Sequence, residues 1–266
     1  MRAQFVKSVL DVLVKDGIVG PLTNLLAVCA GTAEKDLFEV MGFSDVVISN
    51  LDERMTEAQV APFGWSRQDA QALSFPDGSF DVVFVADGLH HCSSPHRALL
   101  EMYRVARRAI VVIESRDSAL MRLANRLGLS PEYEIEAVIG NVFAYGGVDN
   151  TPVPNYIYRW TEAEFKKTIC SYNPVGRHRF QFFYGLNLPH ETAKFKKIRL
   201  KSVVLWLVVP FLRLFTFVFK RQCNSFAMVA TKPELPRDRW PWLKEENGQI
   251  VLDRAWVAKR FRVNNQ

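Results

Sequence analysis

Short apolar runs alternate with helical patterns along the first half of the chain, and this alternation constrains the fold more than any other feature. The runs are residues 25–28, 46–49, 80–86 and 109–113. Before the last of them, residues 94–106 are amphipathic, with apolar side chains at helical spacing. Strands and helices in this rhythm predict an α/β fold, a mostly parallel sheet covered by helices on both faces.

Small or polar residues follow the ends of these runs. Residues 29–32 come after the first run, where small side chains let backbone N–H groups and a helix N-terminus approach a ligand closely. Asn50 follows the second run, and Asp87 and Gly88 follow the run 80–86. In open α/β sheets, ligands bind at the carboxyl ends of the strands, so we predict a ligand site there.

Two stretches together resemble part of a known family. They read Leu-Ala-Val-Cys-Ala-Gly-Thr-Ala-Glu at 26–34 and Gln-Asp-Ala-Gln-Ala-Leu-Ser-Phe-Pro-Asp-Gly-Ser-Phe-Asp-Val-Val-Phe-Val-Ala-Asp-Gly-Leu-His-His at 68–91. The chain thereby resembles the class I, small-molecule methyltransferases that use S-adenosylmethionine. The resemblance implies a doubly wound, Rossmann-like sheet of seven strands with S-adenosyl-L-methionine as cofactor. The glycine motif is degenerate, because Cys29, Gly31 and Ala33 stand where the family has Gly-x-Gly-x-Gly.

The resemblance also implies which residues contact the cofactor. Asn50 stands where the family has a ribose-binding carboxylate, and an amide can still hydrogen-bond the hydroxyls. Asp52 either replaces it or caps a helix over 53–59. Asp69 and the backbone beside it are expected at the adenine ring. The full set of expected cofactor contacts is Cys29, Ala30, Gly31, Thr32, Asn50, Asp52, Asp69, Ala70, Asp87 and Gly88.

Methyl transfer from a sulfonium needs little covalent help, because the cofactor is already an activated electrophile, but a hydroxyl acceptor additionally needs a base. His91 is the first candidate, since a neutral imidazole accepts a proton near pH 7. His90 is the second, and Glu114, at the end of the next strand, is the third. The alternatives are that the histidines pack on the cofactor or bond a backbone carbonyl, and that Glu114 caps a helix or forms a salt bridge. We predict no metal site.

The acceptor side must lie beyond Asp117, where the resemblance ends. A helix is predicted over 118–127, and an irregular loop over 141–155. Thr161 and Glu164 form a capping-box pattern that predicts a following helix. The candidate substrate contacts are Tyr145, Tyr156, Arg159 and Trp160. An arginine in a pocket holds a carboxylate or phosphate bidentately, whereas Tyr156 and Trp160 equally suit an edge strand packed on a helix.

The last two predicted strands, 178–184 and 224–231, form a hairpin in the family, but here about forty residues separate them. Between Thr192 and Pro233 the chain has nine lysines and arginines and no acid. Within this insertion, the apolar segment 203–219 would be about 26 Å long as a helix, just short of a bilayer core. Two interpretations stay open: a broken helical pair that caps the site, or a membrane-interface element whose basic flanks, within 194–221, contact anionic head groups.

We therefore expect three parts. Residues 1–191 form the methyltransferase core with its substrate loops, 192–223 the basic and apolar helical insertion, and 224–266 the last strand and a tail that packs on the core. The four cysteines are widely spaced and the N-terminus does not resemble a secretory signal, so we expect a cytoplasmic protein, either free or membrane-associated. Because the basic character comes from the insertion, we expect no nucleic-acid partner. The sequence leaves the oligomeric state open.

The expected function is S-adenosylmethionine-dependent methyl transfer to a small molecule. A hydroxyl of a glycan or lipid-linked sugar is the first acceptor class considered. An isoprenoid or quinone ring is an alternative that the apolar insertion also accommodates. A third hypothesis is a non-catalytic scaffold that kept the fold, suggested by the missing glycines and the neutral Asn50.

Overall fold

A computed structural model describes residues 2–188 and 199–261, and one seven-stranded sheet organises them. Its strands are β1 Leu25–Ala27, β2 Val46–Asn50, β3 Gly64–Arg67, β4 Phe80–Ala86, β5 Ala106–Ser115, β6 Arg179–Gly185 and β7 Ser225–Thr231. They lie in the order β3-β2-β1-β4-β5-β7-β6, and β7 runs antiparallel to both of its neighbours. The predicted α/β, doubly wound, mostly parallel sheet is confirmed.

Helices cover both faces of this sheet. The helices of the described residues are α1 Arg2–Lys15, α2 Thr32–Val40, α3 Glu57–Val60, α4 Pro95–Val105, α5 Ala119–Arg126, α6 Ile135–Gly140, α7 Glu162–Tyr172, α8 Arg199–Val218 and α9 Arg254–Phe261, and α1, α2, α4 and α7 among them pack on the sheet. One core packs α4 and α7 on the sheet, around Met102 and Phe165, and the other packs α1 and α2, around Leu10 and Phe38. Because the central strands are buried on both sides, they read as continuous apolar runs in the sequence.

Local signals placed several elements correctly. The Thr161 hydroxyl accepts a hydrogen bond from the Glu164 N–H at 3.2 Å, so the predicted capping box begins α7. Ser118 likewise accepts from the Met121 N–H, also at 3.2 Å, and starts α5. A capping hydroxyl satisfies one of the backbone donors that a helix start leaves without a partner.

Other expectations were wrong. The helix expected over 53–59 begins later, at Glu57, with Thr56 as its cap. The edge strand β3 was not predicted, because Gly-Trp-Ser-Arg is short, half-exposed and lacks an apolar run. No edge strand is described over 156–160, where the backbone makes only isolated bridges. Trp160 is fully buried in the core.

The insertion lies between β6 and β7, as predicted. It contains one continuous helix, α8, with Pro210 inside it, so the predicted broken pair is wrong for the described residues. Its base is closed by two hydrogen bonds, from the Asn187 N–H to Asn224 Oδ1 at 2.8 Å and from Asn224 Nδ2 to the Asn187 carbonyl at 2.6 Å. Within residues 2–188 and 199–261, no helix is both long and apolar enough to cross a membrane.

The tail after β7 forms a small unit of its own. The hairpin β8 Leu243–Glu246 and β9 Gln249–Leu252 is followed by α9. Trp242 packs between Trp240 and Trp256, with ring centroids 4.7 and 5.8 Å away. The tail meets the core where the Arg177 N–H donates to the Asp238 carbonyl at 2.8 Å. Trp240 also contacts the core, because its backbone N–H donates to the Val175 carbonyl at 3.4 Å and the Arg177 guanidinium lies 5.5 Å from its ring.

Candidate functional site

The loops after β1 and β4 touch at the carboxyl edge of the sheet. A Cβ atom added to Gly88 would lie 2.3 Å from the Cβ of Cys29, so only glycine fits there. Cys29 itself has φ 51°, in the left-handed region that favours glycine. A side chain in that conformation costs about 1–2 kcal/mol, and the cysteine occupies the place of the family's first glycine. The degenerate motif thus keeps the backbone shape of a glycine turn.

A buried ion cluster follows this contact. The side chain of His90 is only 6% exposed, with Nδ1 2.6 Å from Glu114 Oε2 and Nε2 3.1 Å from Glu134 Oε2. Although burial alone lowers the pKa of an imidazole, the two carboxylates outweigh it and raise the pKa of His90 to about 10. His90 is therefore an imidazolium at neutral pH, and both of its ring nitrogens donate.

Glu114 is held from two directions. Its Oε1 accepts the Leu89 N–H at 2.7 Å, while its Oε2 faces His90. The residue is 1% exposed at the end of β5. The structure thus places Glu114 in the salt-bridged role that the sequence left open as its alternative.

His91 differs sharply from its neighbour. Its side chain is 30% exposed, and its Nε2 lies 3.4 Å from Glu134 Oε2. Burial, and then the positive charge of His90, lower the pKa of His91 below the ordinary value of 6.5. The imidazole of His91 is therefore neutral at pH 7 and has a lone pair for a proton.

Glu134 completes the cluster, and the sequence did not indicate it. It lies just before α6, in a stretch without a motif, and its N–H donates to the Asn155 carbonyl at 3.0 Å. The hydrogen bond from His90, partly opposed by burial, lowers the pKa of Glu134 to about 2. Glu134 is thus a carboxylate shared by both histidines.

The structure places Arg159 behind this segment. Its Nη2 donates to the Pro131 carbonyl at 2.8 Å and to Ser130 Oγ at 3.1 Å. The guanidinium thereby holds the strand-like stretch that leads to Glu134. Its expected role as a clamp for an anionic substrate stays a prediction.

The donor atoms of His90, His91 and Glu134 all lie within 4.8 Å of one another, a spacing that a metal ion would accept. A metal ion there would have to displace the proton that His90 Nε2 shares with Glu134 Oε2 across 3.1 Å, because a metal ligand needs a nitrogen lone pair.

Removal of divalent metals with EDTA is therefore expected to leave methyl transfer unchanged. The measurement is turnover before and after chelation and gel filtration. Turnover that falls with EDTA and returns with Zn²⁺ would make the three residues metal ligands instead.

On the cofactor side, Asn50 ties the first two loops together. Its Nδ2 donates to the Ala30 carbonyl at 3.1 Å, and its Oδ1 accepts the Asp52 N–H at 2.9 Å. Asp52 pairs with Arg54, whose Nε lies 2.9 Å from Oδ1, and this hydrogen bond lowers the pKa of Asp52. Asp52 does not cap a helix over 53–59.

Asn50→Asp is expected to lower the free energy of unfolding by about 1–3 kcal/mol, because a carboxylate oxygen would then face the Ala30 carbonyl. Urea unfolding measures this. Asp36→Asn is the matched control, at a largely exposed acid on α2. Equal stability of Asn50→Asp and wild type would contradict the contact.

The turn before α2 leaves room for a ligand. The N–H of Gly31 donates to Glu34 Oε2 at 2.9 Å, and Thr32 is the first residue of the helix. A Cβ added to Gly31 would meet only the thioether of Met55 within 4 Å. The small residues therefore suit a bulky cofactor above the turn.

The loop 141–155 lies over this crevice, as predicted. Asp149 Oδ1 accepts from Gln71 Nε2 and from the Ser93 N–H, both at 2.9 Å. The ring of Tyr145 lies 4.1 Å from the Arg54 guanidinium. The loop is thus anchored both to the stretch after β3 and to the loop after β2.

The other expected contacts are spread around the same edge. Asp69 Oδ1 accepts the Gln71 N–H at 2.8 Å, and Ala70 beside it is buried. Asp87 lines a small cavity together with Phe5 and Asn187. The ring of Tyr156 is half-exposed and packs on Tyr133, with centroids 5.5 Å apart. Trp160, being fully buried, has no surface left for a substrate.

Comparison with known proteins identifies the class. Residues 26–113 match the family described as methyltransferase domain. A stretch of 98 residues is 33% identical to the demethylmenaquinone methyltransferase of Chlamydia trachomatis, over 33% of this chain and 42% of that protein. A stretch of 94 residues is 35% identical to the same-named protein of Listeria monocytogenes, over 31% and 40%. The matches thus span less than half of these relatives.

The fold is also similar to that of a methyltransferase of known structure. A SAM-dependent methyltransferase of Archaeoglobus fulgidus superimposes with a TM-score of 0.52 at 15% identity, over 86% of this chain and 94% of that one. Residues 26–113 of the chain therefore form a methyltransferase domain, and the sheet has the fold of class I methyltransferases. The predicted methyltransferase domain and fold are confirmed, and the expected cofactor, S-adenosyl-L-methionine, agrees with them.

Proposed function

We propose that the protein is an enzyme that transfers a methyl group from S-adenosyl-L-methionine to a hydroxyl oxygen of a small molecule, with His91 as the base. The observation that carries this is the contrast between two adjacent histidines. His90 is buried and protonated, whereas His91 is neutral and partly exposed at the same strand end. Neighbouring groups whose pKa values are pushed apart are typical of acid–base sites.

When bound, the cofactor supplies an activated methyl group. His91 would accept the proton of the acceptor hydroxyl, whose oxygen would take the methyl group that the cofactor supplies. Glu134, 3.4 Å from Nε2, stabilises the imidazolium that forms. Because His91 is 30% exposed, the proton then leaves to solvent.

The cofactor would lie above Gly31, with Asn50 at its ribose and Asp69 at its adenine. The room above Gly31 and the anchoring of loop 141–155 to Gln71 support this placement. Cys29, Ala30 and Thr32 would present backbone groups to it.

Asp69→Ala is expected to weaken cofactor binding about 10- to 100-fold, the effect of one hydrogen bond to a charged group. Asp69→Asn should also bind the cofactor more weakly. Because it keeps the oxygen that accepts the Gln71 N–H, a loss in this variant reflects the lost contact with the ligand and not a change in the turn. Calorimetry measures both. Wild-type affinity in Asp69→Asn would contradict the assignment of Asp69 to the adenine. A wild-type protein that does not bind the cofactor at millimolar concentration would favour the scaffold hypothesis.

For the acceptor, we propose a molecule with a lipid portion. The helix α6, directly after Glu134, exposes Ile135 and Ile139 by 56% and 51%. A lipid-linked sugar fits if the half-exposed ring of Tyr156 packs on the sugar. A quinone or isoprenoid ring is the second candidate, favoured by the demethylmenaquinone methyltransferases among the relatives.

The acceptor class can be tested with a labelled methyl donor and cell extract separated into lipid and aqueous fractions. Label in the lipid fraction supports the proposal, and hydrolysis then distinguishes an O-methyl sugar from a methylated ring. Label confined to water-soluble products would overturn the lipid assignment.

A further inference from the structure

The last part of α8 exposes an unusual amount of apolar surface. Seven large side chains between residues 208 and 219 are 41% to 75% exposed. They are Val208, Phe211, Leu214, Phe215, Phe217, Val218 and Phe219. Contiguous apolar patches of this kind mark interaction sites on soluble proteins.

Only one narrow stripe of this part of the helix faces the protein. Val209 and Thr216, seven residues apart, are buried, at 9% and 4% exposed. Residues seven apart lie on the same face of a helix after two turns. Leu212 on the same side is half-buried, and the other described side chains of 208–219 are exposed, so the interpretation of a cap with its apolar surface buried is wrong for 208–219.

This helix ends beside the elements that cover the site. The turn 220–222 follows it, and Gln222 Oε1 accepts the Leu120 N–H at 3.1 Å. The Gln222 carbonyl also accepts the hydroxyl of Ser118, the residue that caps α5, at 3.3 Å. The end of α8 is thereby fixed to the start of α5.

From α5 the apolar exposure continues to the site itself. Eight further large apolar residues are 51% to 83% exposed between residues 123 and 143. They are Leu123, Leu127, Leu129, Tyr133, Ile135, Ile139, Val142 and Phe143. Glu134, which contacts both histidines, lies within this stretch. We call the exposed residues of 208–219 and 123–143 together the apolar rim.

Positive charge accompanies the part of the apolar rim at the end of α8. Arg213, Lys220 and Arg221 are exposed there, and Arg122 and Arg126 are exposed on α5, whereas the exposed acids Glu132 and Glu136 lie within 123–143. Arg221 is 77% exposed even though it pairs with Glu162 at 3.3 Å. Exposed apolar side chains with basic residues around them suit the head-group region of an anionic bilayer, where each basic residue adds about 1 kcal/mol.

We propose that the apolar rim docks on an anionic lipid bilayer, with α8 lying in its interface. The stretch that carries Glu134 then faces the membrane, and an acceptor lipid reaches His91 without crossing water. The docking is inferred only from the exposed apolar side chains and the basic residues beside them, whereas the delivery of an acceptor rests on the proposed function.

Vesicle flotation tests the docking with the full chain. Wild type should float with vesicles of phosphatidylcholine and phosphatidylglycerol, and bind phosphatidylcholine alone at least about tenfold more weakly. The double variant Phe211→Ser, Phe217→Ser should lose at least about tenfold in affinity for the anionic vesicles. The matched control is Leu22→Ser, Val40→Ser, at residues 85% and 78% exposed. It should bind as wild type does.

Several results would overturn the proposal. The first is a wild-type protein that does not bind anionic vesicles. The second is an equal loss of vesicle affinity in both double variants. The third is a lipid-free dimer, detected by sedimentation, that the Phe211→Ser, Phe217→Ser variant no longer forms. The last result would assign the rim to a second copy of the chain. Flotation without any methyl transfer would leave the docking intact and reject only the proposed function.

Discussion

His91→Ala is expected to lower kcat about 10²- to 10⁴-fold while cofactor affinity stays within a few-fold of wild type, because the base is lost but the crevice is not changed. Steady-state kinetics and calorimetry measure the two quantities. His96→Ala is the matched control. His96 lies on α4 with its Nε2 3.1 Å from Glu164 Oε1, away from the cluster of His90, His91 and Glu134. Unchanged turnover in His91→Ala would remove histidine from the role of base.

The pH profile gives an independent test of the same assignment. The pKa of His91 is lowered below 6.5 by burial and by the charge of His90, so the neutral form prevails at pH 7. Activity should therefore be level at neutral pH and fall only when the pH drops through that lowered pKa. An activity that still rises steeply between pH 7 and 9 would contradict a base of this kind.

Glu114→Ala is expected to lower the free energy of unfolding by about 3–5 kcal/mol, since it leaves the buried imidazolium of His90 with one partner and the Leu89 N–H with none. Glu134→Ala should cost less, because that side chain is 34% exposed and water can replace it. Urea unfolding at pH 7 compares the two. A smaller loss in Glu114→Ala than in Glu134→Ala would contradict the burial assigned here.

The sign of the pH effect follows from the raised pKa of His90. The folded value of about 10 exceeds the ordinary 6.5, so its stabilising contribution is complete below pH 6.5 and is lost as pH rises through 10. The difference in the free energy of unfolding between wild type and Glu114→Ala should therefore shrink between pH 7 and 10. A constant difference over that range would mean that His90 is neutral in the folded protein.

The sequence predicted those parts of the fold that periodicity marks. Strands such as β4 are buried on both faces, so their apolar runs are visible without knowledge of their neighbours. The site was predicted only where a residue lies at or shortly after the end of a strand. Asn50 is the last residue of β2, and His91 lies five residues after β4. Glu134 was missed because contacts from Asn155 and Arg159 bring its loop to the site, and such contacts leave no pattern. Trp160 was placed with the substrate because an aromatic run looks the same in a core and in a pocket.

The closed base of the insertion lets the inserted segment vary in sequence and length independently of the sheet. Gly185 and Ser225 pair directly across β6 and β7, and the hydrogen bonds between Asn187 and Asn224 lie just beyond them. The polypeptide thus leaves the sheet and returns to it at a single point, as it would through a short turn. Lengthening such a connection adds little to its closure entropy, so natural variation can remodel the excursion without rebuilding the scaffold that holds the cofactor.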